Sequence, residues 1–159
     1  MAVFDRKKLF DKDNVAKSLK SIVWGTPEYI YKPLNDEFKF TIDVCADKYN
    51  AKCDKYFSEE ENGLMRDWSG NVCWCNPPYG TQVKNWVKKA YLESKNGVTT
   101  VLLIPVKTNT NWWHDLVIPF AEIRFIRGRI AFEKDGKPMK HGLPWAIAII
   151  IYRGHATAE

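Results

Sequence analysis

The chain contains 159 residues with a mass of 18.5 kDa, a size typical of one domain with its own hydrophobic core, so we expect a single domain over residues 1–159. With 45% hydrophobic and 27% charged residues, the composition excludes a disordered chain, and no apolar run approaches the ~20 residues of a membrane span. The net charge of +5 favours a polyanionic partner.

The amino-terminal segment and the cysteines indicate the compartment. Residues 1–21 alternate in charge, which predicts an arm or helix rather than an apolar signal segment, so we expect a cytoplasmic protein with reduced thiols. Cys73 and Cys75 match the usual zinc knuckle poorly, and seven residues separate Cys45 from Cys53. We therefore expect small buried hydrophobic residues and no metal, with a zinc site as the alternative.

A first helix is predicted from Thr26, because Thr before Pro27 suits an N-cap and the first helical position. Its free backbone N–H groups would suit a carboxylate. Pro33 predicts a kink or break near Lys32. The residues expected to face the core are Tyr29, Ile30, Leu34 and Phe38.

Two short strands are predicted next, at residues 40–44 and 52–57. Asp43, near the end of the first, suits an ammonium or a ribose hydroxyl, with a satisfied polar residue as the alternative. An acidic loop follows the second strand and ends in an Asn62-Gly63 turn. Such acidic residues hold ribose hydroxyls in nucleotide-binding sheets, although a solvated charge run has the same composition.

The central feature is an apolar run over residues 72–75 that ends at Asn76 and two prolines, which predicts a buried strand with an abrupt end. Because Asn76 precedes Pro77, its backbone is extended and its side chain lies at the carboxyl end of the strand. The Asn76 side-chain oxygen and the Pro77 carbonyl are acceptors that suit an NH2 group, and Tyr79 offers a flat face to a planar base or amide. An ordinary turn after a core strand is the alternative.

A helix is predicted after Gly80, with Thr81 as its cap and an end at Asn96-Gly97. We expect Lys89 on a face away from the core. Residues 98–105 then predict a buried parallel strand, so strand, helix and strand form a βαβ unit. The apolar helical positions are Val83, Trp86, Val87, Ala90 and Tyr91.

The loop at residues 106–114 is polar, aromatic and partly basic, and it lies at the same edge as Asn76. Nucleic-acid contact is expected from Lys107, Thr108 and Trp112, with packing as the role of one residue of the Trp pair. A basic strand at 122–126 and an apolar strand at 145–152 are predicted to pair antiparallel. The turn between them adds Arg127 and Arg129 as candidate nucleic-acid contacts.

Together these residues resemble a known family. The motifs are Trp24-x-Thr26-Pro27, Asp43-x-Cys45-Ala46, Asn50-Ala51-Lys52-Cys53, Gly63-Leu64, Trp68-x-Gly70, Asn76-Pro77-Pro78-Tyr79-Gly80, Trp86 and Gly128-Arg129. In this order they resemble the phage-type DNA N6-adenine methyltransferases, the Dam-like enzymes of phages and prophages. The resemblance extends over residues 24–152.

The resemblance implies a compact α/β, Rossmann-like methyltransferase fold with a mixed sheet, S-adenosylmethionine as the methyl donor, and adenine in double-stranded DNA as the substrate. The base would be flipped into a pocket formed by Asn76, Pro77, Pro78 and Tyr79, because N6 is paired inside the duplex. Asn76 and the Pro77 carbonyl would accept from N6, and Tyr79 would stack on the base.

The resemblance also implies a cofactor pocket lined by Trp24, Thr26, Pro27, Asp43, Cys45 and Ala46, with Glu60 or Asn62 near the adenosine. The loop after the first strand lacks the glycines common in methyltransferases. Only about thirty residues separate Asp43 from Asn76, so we expect a reduced sheet on that side, because each parallel crossover needs a dozen residues or more.

Other functions fit parts of the pattern. An RNA adenine or a protein glutamine methyltransferase would use the same Asn-Pro-Pro-Tyr chemistry on another NH2 group. A non-catalytic nucleic-acid-binding protein would use the basic surface and aromatic residues alone. The resemblance favours a phage- or prophage-encoded enzyme in the host cytoplasm. We expect it to act as a monomer, in restriction-modification or in regulation.

Overall fold

The computed structural model describes residues 24–134 and 136–155, so the prediction of an arm at residues 1–21 lies outside the described residues. The helices are α1 (Glu28–Phe38) and α2 (Val83–Ser94), with a 3-10 turn at Gly63–Met65 and a π-helical turn at Trp113–Val117. The strands are β1 (Ile42–Asp43), β2 (Val72–Cys75), β3 (Thr99–Pro105), β4 (Glu122–Phe125), β5 (Glu133–Lys134), β6 (Lys137–Pro138) and β7 (Ile147–Tyr152).

Five of the strands form one mixed sheet with the order β1-β2-β3-β7-β4. The first three are parallel neighbours, and β7 is antiparallel to both β3 and β4. The structure therefore confirms an α/β arrangement with a mixed sheet and an antiparallel pair of late strands. β5 and β6 form a separate hairpin next to this sheet.

Both faces of the sheet are buried at its central strands β2, β3 and β7, because successive side chains of a strand point to opposite faces and both sets are mostly apolar. Cys73 and Cys75 of β2 belong to the hydrophobic cluster that contains α2 residues. Trp74, between them, belongs to the other cluster, with Tyr31 and Leu34 of α1. The sheet is thus a layer between α1 and α2.

The central βαβ prediction is confirmed. β2 spans the predicted residues, and β3 begins one residue later than predicted and pairs parallel with β2. Two details of α2 were wrong: Gln82 rather than Thr81 precedes the helix, and Lys89 is buried at 5% exposure. The Lys89 ammonium lies 2.6 Å from the Glu93 carboxylate and donates to the Arg66 carbonyl, which satisfies its charge inside the core.

The predictions for α1 were partly wrong. The helix begins after Pro27, which is extended and provides no side-chain cap, and it continues through Pro33 without a break. Tyr29, which sits one turn before Pro33, is 63% exposed, so this face of the helix borders solvent. Tyr31 is buried in its place, and its ring packs edge-on against Trp74.

The region between β1 and β2 has little regular structure. β1 contains only Ile42 and Asp43, and the strand predicted at 52–57 is reduced to one parallel bridge between Asp43 and Tyr56. The described residues from 44 to 71 contain no α-helix. The predicted reduction of the sheet on this side is therefore confirmed, with β1 as the edge strand. Neither described helix has the length and apolar character needed to cross a bilayer.

Candidate functional site

A cavity lies at the carboxyl ends of β1 and β2, the edge of a parallel sheet where ligands bind in α/β folds. The backbone turns away from each strand there, at Val44 and at Asn76, and a loop over residues 57–63 closes the outer side. The lining residues are Trp24, Val44, Cys45, Ala46, Asp47, Asn50, Phe57, Ser58, Glu59, Asn62, Gly63, Asn76, Pro77, Pro78, Tyr79, Trp86, Phe132, Leu143 and Trp145.

The Asn76 amide is held at one end. Its Nδ2 donates to Thr26 Oγ1 at 3.0 Å and to the Trp24 carbonyl at 3.4 Å. Its Oδ1 and the Pro77 carbonyl accept no hydrogen bond from the described residues. The structure thus provides two acceptors on a stiff backbone beside the cavity, as the sequence predicted for an NH2 ligand.

The Tyr79 ring lines the same cavity, and its hydroxyl is engaged in the protein. The hydroxyl donates to the Leu103 carbonyl of β3 at 3.0 Å, and Phe132 packs edge-on against the ring at a centroid distance of 5.8 Å. Burial raises the pKa of Tyr79 well above its ordinary value, so the phenol stays protonated near neutral pH. These contacts fix the ring plane, which is what a stacking role requires.

The outer wall of the cavity depends on a close approach between Gly63 and the end of β1. A Cβ at Gly63 would overlap the Val44 carbonyl oxygen, so only glycine fits against this backbone. Asn62 precedes it with a φ of +52°, a conformation that Asn tolerates better than most residues. Its buried Oδ1 has no hydrogen-bond partner among the described residues, which leaves an acceptor at the cavity wall.

The predicted cofactor residues separate into two groups. Trp24, Cys45, Ala46 and Asn62 line the cavity. Thr26, Pro27, Asp43 and Glu60 do not, although Thr26 contacts Asn76 and the acidic loop reaches the cavity through Glu59.

Asp43 is a buried structural carboxylate. It is 2% exposed, and its two oxygens accept from the backbone N–H groups of Cys45 and Lys52 at 3.2 and 3.1 Å. Burial raises its pKa to about 7, and the two backbone hydrogen bonds oppose that shift. Of the two interpretations of the sequence, the geometry therefore supports a polar residue whose hydrogen bonds are satisfied inside the protein. The two hydrogen bonds shape the loop that carries Cys45 and Ala46.

We expect Asp43→Asn to destabilise the protein by about 1–3 kcal/mol, because an amide has one acceptor and would face the other N–H with a donor. Urea unfolding measures the difference. Asp36→Asn is the control, since Asp36 forms an exposed helical pair with Lys32 and should leave the midpoint nearly unchanged. Equal midpoints for the two variants would contradict the structural role of Asp43.

The same variant tests the titration of Asp43. Between about pH 4 and pH 7 the unfolded carboxyl ionises while the folded one keeps its proton, so the folded state binds more protons and wild-type stability falls as pH rises. The amide that replaces the carboxyl in Asp43→Asn does not titrate. The stability difference between the two proteins should therefore shrink across this window, and a constant difference would contradict the raised pKa.

The cysteines are free thiols, and the described residues contain no cluster of His, Cys, Asp and Glu side chains that would hold a metal. Burial raises the pKa of Cys45 and Cys75 well above the ordinary thiol value. Both therefore remain protonated at neutral pH. Cys45 contributes a small apolar surface to the cavity.

Sequence reasoning missed the cavity-lining residues of the segment between β4 and β7. Phe132, Leu143 and Trp145 line the cavity, and Trp145 is 48% exposed at its rim with Lys107 Nζ 5.7 Å from the centre of its ring. The available signal was a set of large apolar residues in a segment rich in Gly, Pro and Lys. Asp47, Asn50, Phe57 and Ser58 were missed on the opposite wall.

The residues predicted to contact nucleic acid do not line the cavity. They follow strands whose carboxyl ends lie at the same edge of the sheet as the cavity. Lys107 and Thr108 follow β3, and Arg127 and Arg129 follow β4; all four are exposed. Trp112 is partly buried against Trp113, which is 2% exposed, so the packing role falls to Trp113. The edge around the cavity is therefore basic.

Comparison with known proteins gives a consistent family. Residues 12–155 match the family described as DNA N-6-adenine-methyltransferase (Dam). The chain is 32% identical over 127 residues to the DNA N-6-adenine-methyltransferase of Haemophilus phage HP1 (strain HP1c1), which covers 78% of this chain and 73% of that protein. It is 31% identical over 116 residues to the enzyme of the same name from Escherichia phage T1, which covers 72% of this chain and 48% of that protein.

Proposed function

The chain belongs to the DNA N-6-adenine-methyltransferase (Dam) family, and we propose that its site transfers a methyl group from S-adenosylmethionine to N6 of an adenine flipped out of double-stranded DNA. Family membership makes it an adenine-specific DNA methyltransferase. The donor, the flipped base and the residue roles belong to the proposal, and the sheet is then a reduced form of the methyltransferase fold.

The observation that carries the proposal is the orientation of the Asn76 amide. Because its NH2 end is hydrogen-bonded to Trp24 and Thr26, its Oδ1 remains as an acceptor, and Pro77, which lines the same cavity, offers its carbonyl as a second one. An exocyclic amine has two hydrogens, one for each of these oxygens. The site therefore suits an NH2 group on a planar ring, which is the reacting group of adenine.

The chemistry follows from those two acceptors. S-adenosylmethionine, when bound, supplies an electrophilic methyl group on a sulfonium. With both N6 hydrogens bonded to Asn76 and Pro77, the nitrogen lone pair is withdrawn from the ring and is free to attack. Transfer would form a nitrogen–carbon bond as the carbon–sulfur bond of the methyl donor breaks, with the bonding pair left on sulfur and one proton released from the methylated nitrogen to water.

The residues of the outer wall suit the methyl donor, S-adenosylmethionine. Asn62 Oδ1 is a buried hydrogen-bond acceptor without a partner among the described residues, and an adenosine amine or a ribose hydroxyl would donate to it. The Glu59 carboxylate is a second acceptor on this wall, and Phe57 and Trp86 offer apolar surface for a purine. We assign the donor to this wall and the target adenine to the side formed by Asn76 and Tyr79.

The DNA would approach the basic edge. Lys107, Arg127 and Arg129 are exposed around the cavity, where they would contact phosphates. Trp145 lies at the rim, half exposed, in a position to stack on a base next to the flipped adenine.

Transfer of a tritiated methyl group from S-adenosylmethionine to unmethylated duplex DNA, RNA and glutamine peptides tests the function. We expect N6-methyladenine in DNA alone, and sequencing of the methylated positions in a plasmid then gives the recognised site. Methylation of RNA or peptide in preference to DNA would replace the proposed substrate. DNA binding without transfer to any substrate would favour the non-catalytic alternative.

Two variants of Tyr79 distinguish a stacking role of the ring from a chemical role of the hydroxyl. We expect Tyr79→Phe to keep most of the activity, since the ring remains and only the hydrogen bond to Leu103 is lost, at about 1 kcal/mol of stability. Tyr79→Ala should lower kcat/KM about tenfold or more, because base–aromatic stacking contributes about 1–3 kcal/mol per base. Steady-state kinetics with duplex DNA measure both, and equal losses would argue for the hydroxyl.

A further inference from the structure

We infer that Thr26 is a positioning residue for methyl transfer: its hydroxyl, with the Trp24 carbonyl, holds the Asn76 amide with the oxygen toward the substrate amine. This inference rests on the proposed function. It assigns to Thr26 a role in aligning the reacting nitrogen rather than in binding the methyl donor.

The geometry places Thr26 behind the site rather than in it. Thr26 is 2% exposed, does not line the cavity, and makes no side-chain cap for α1, which begins after Pro27. Among the described residues, its hydroxyl hydrogen-bonds to Asn76 Nδ2, at 3.0 Å. Its link to the reaction therefore runs through the Asn76 amide.

The Thr26 hydroxyl and the Trp24 carbonyl are both needed to define the orientation of the Asn76 amide. A threonine hydroxyl donates or accepts, so by itself it would tolerate either end of the Asn76 amide. A carbonyl only accepts, so the Trp24 carbonyl, 3.4 Å from Nδ2, requires the NH2 end on this side. The shorter bond to Thr26 then fixes the amide plane, and Oδ1 is left at the other end.

The segment that carries these partners is itself anchored. Gly25 lies between them and forms a two-way bridge with Glu133 of β5: Gly25 N–H donates to the Glu133 carbonyl at 2.7 Å, and Glu133 N–H donates back at 2.9 Å. The Trp24 ring packs edge-on against Phe132, next to that bridge. Thr26 therefore has a rigid support, which a residue that orients a catalytic group requires.

Loss of the Thr26 hydroxyl would leave the amide with the longer bond to the Trp24 carbonyl alone, so the amide plane would no longer be fixed. With the plane free to tilt, Oδ1 would no longer be held in line with an N6 hydrogen of adenine, and the nitrogen lone pair would lose its alignment. The cavity walls would keep their shape, because Thr26 is not part of them. We therefore expect a defect in kcat with little change in the affinity for S-adenosylmethionine or DNA.

The test compares Thr26→Val, which keeps the shape without the hydroxyl, with Thr26→Ser, which keeps the hydroxyl. We expect Thr26→Val to lower kcat about 10- to 100-fold, because small misplacements of reacting groups have effects of that order. KM for DNA and the calorimetric Kd for S-adenosylmethionine should stay within about threefold. Thr26→Ser should restore most of kcat. Thr26→Ala provides a second hydroxyl-free variant if the valine is poorly folded.

A second readout excludes a merely structural role. Duplexes with 2-aminopurine at the methylated position report flipping of the target base by fluorescence, and this base has no amine at position 6. Thr26→Val should flip it as the wild type does while failing to methylate adenine efficiently. Equal losses of flipping and of kcat, wild-type kcat in both hydroxyl-free variants, or failure of the serine to rescue would each overturn the inference. Lack of methylation by the wild type would instead overturn the proposed function.

Discussion

Asn76→Ala is expected to lower kcat for methyl transfer to DNA by about 10²- to 10³-fold or more, the range seen when a single polar group that stabilises a transition state is removed. The variant lacks the oxygen that we propose accepts from N6, so the amine would keep its lone pair in the ring. The change should leave S-adenosylmethionine binding within about threefold, because Asn76 belongs to the side assigned to adenine. Single-turnover methylation and calorimetric binding measure the two quantities.

The matched control is Asn96→Ala. Asn96 is an exposed amide beyond the carboxyl end of α2, just before β3 begins, so it lies at the opposite edge of the sheet from Asn76. Its removal should leave kcat and donor affinity unchanged. Full activity of Asn76→Ala would contradict the assigned role. Equal loss of donor binding and of kcat in that variant would show instead that Asn76 supports the cavity as a whole.

The central part of the fold was predictable because its signals are local. β2 is an apolar run stopped by Pro77, α2 has apolar residues at helical spacing, and β3 is a continuous buried strand. Each pattern depends on neighbouring residues alone. The same reasoning placed Asn76 and Tyr79 at the carboxyl end of β2, and both line the cavity there.

The errors fall where distant contacts decide the structure. Thr26 has the sequence of an N-cap, but its hydroxyl contacts Asn76, fifty residues away. Lys89 and Glu93 have the spacing of an exposed helical pair, but their ion pair is buried. Neither partner is visible in the local sequence, because only the packing of the sheet against the helices brings the groups together.

The cavity residues show the same limit. Phe132 and Trp145 lie between β4 and β7, in a segment whose path back across the carboxyl edge is set by the antiparallel pairing of β7 with β3. The pairing of Pro105 with Ile147 brings Trp145 to the mouth of the cavity. A sequence pattern shows that such residues are apolar, whereas the strand order determines which surface they line.

Gly63→Ala should be among the most destabilising single changes in the chain, at about 3 kcal/mol, because an added Cβ would overlap the backbone carbonyl of Val44 rather than a movable side chain. The Gly63 segment is held from the other side by the indole N–H of Trp68, which donates to the Gly63 carbonyl at 2.8 Å. Relief of the overlap would therefore separate the outer wall from β1 and displace Asn62. We expect a loss of S-adenosylmethionine affinity with the loss of stability.

Gly70→Ala distinguishes this steric effect from the general effect of replacing a glycine. Gly70 has a φ of +74° and open space around its Cα, so an alanine there has only the conformational penalty of about 1–2 kcal/mol. Gly63 has no positive φ, so its requirement for glycine comes from the contact alone. Urea unfolding should show the larger loss for Gly63→Ala, and donor affinity should fall in that variant only. Equal stability of the two variants would mean that the loop carrying Asn62 relieves the overlap at no more than the conformational penalty of Gly70→Ala, and that the cavity wall is only weakly held against β1.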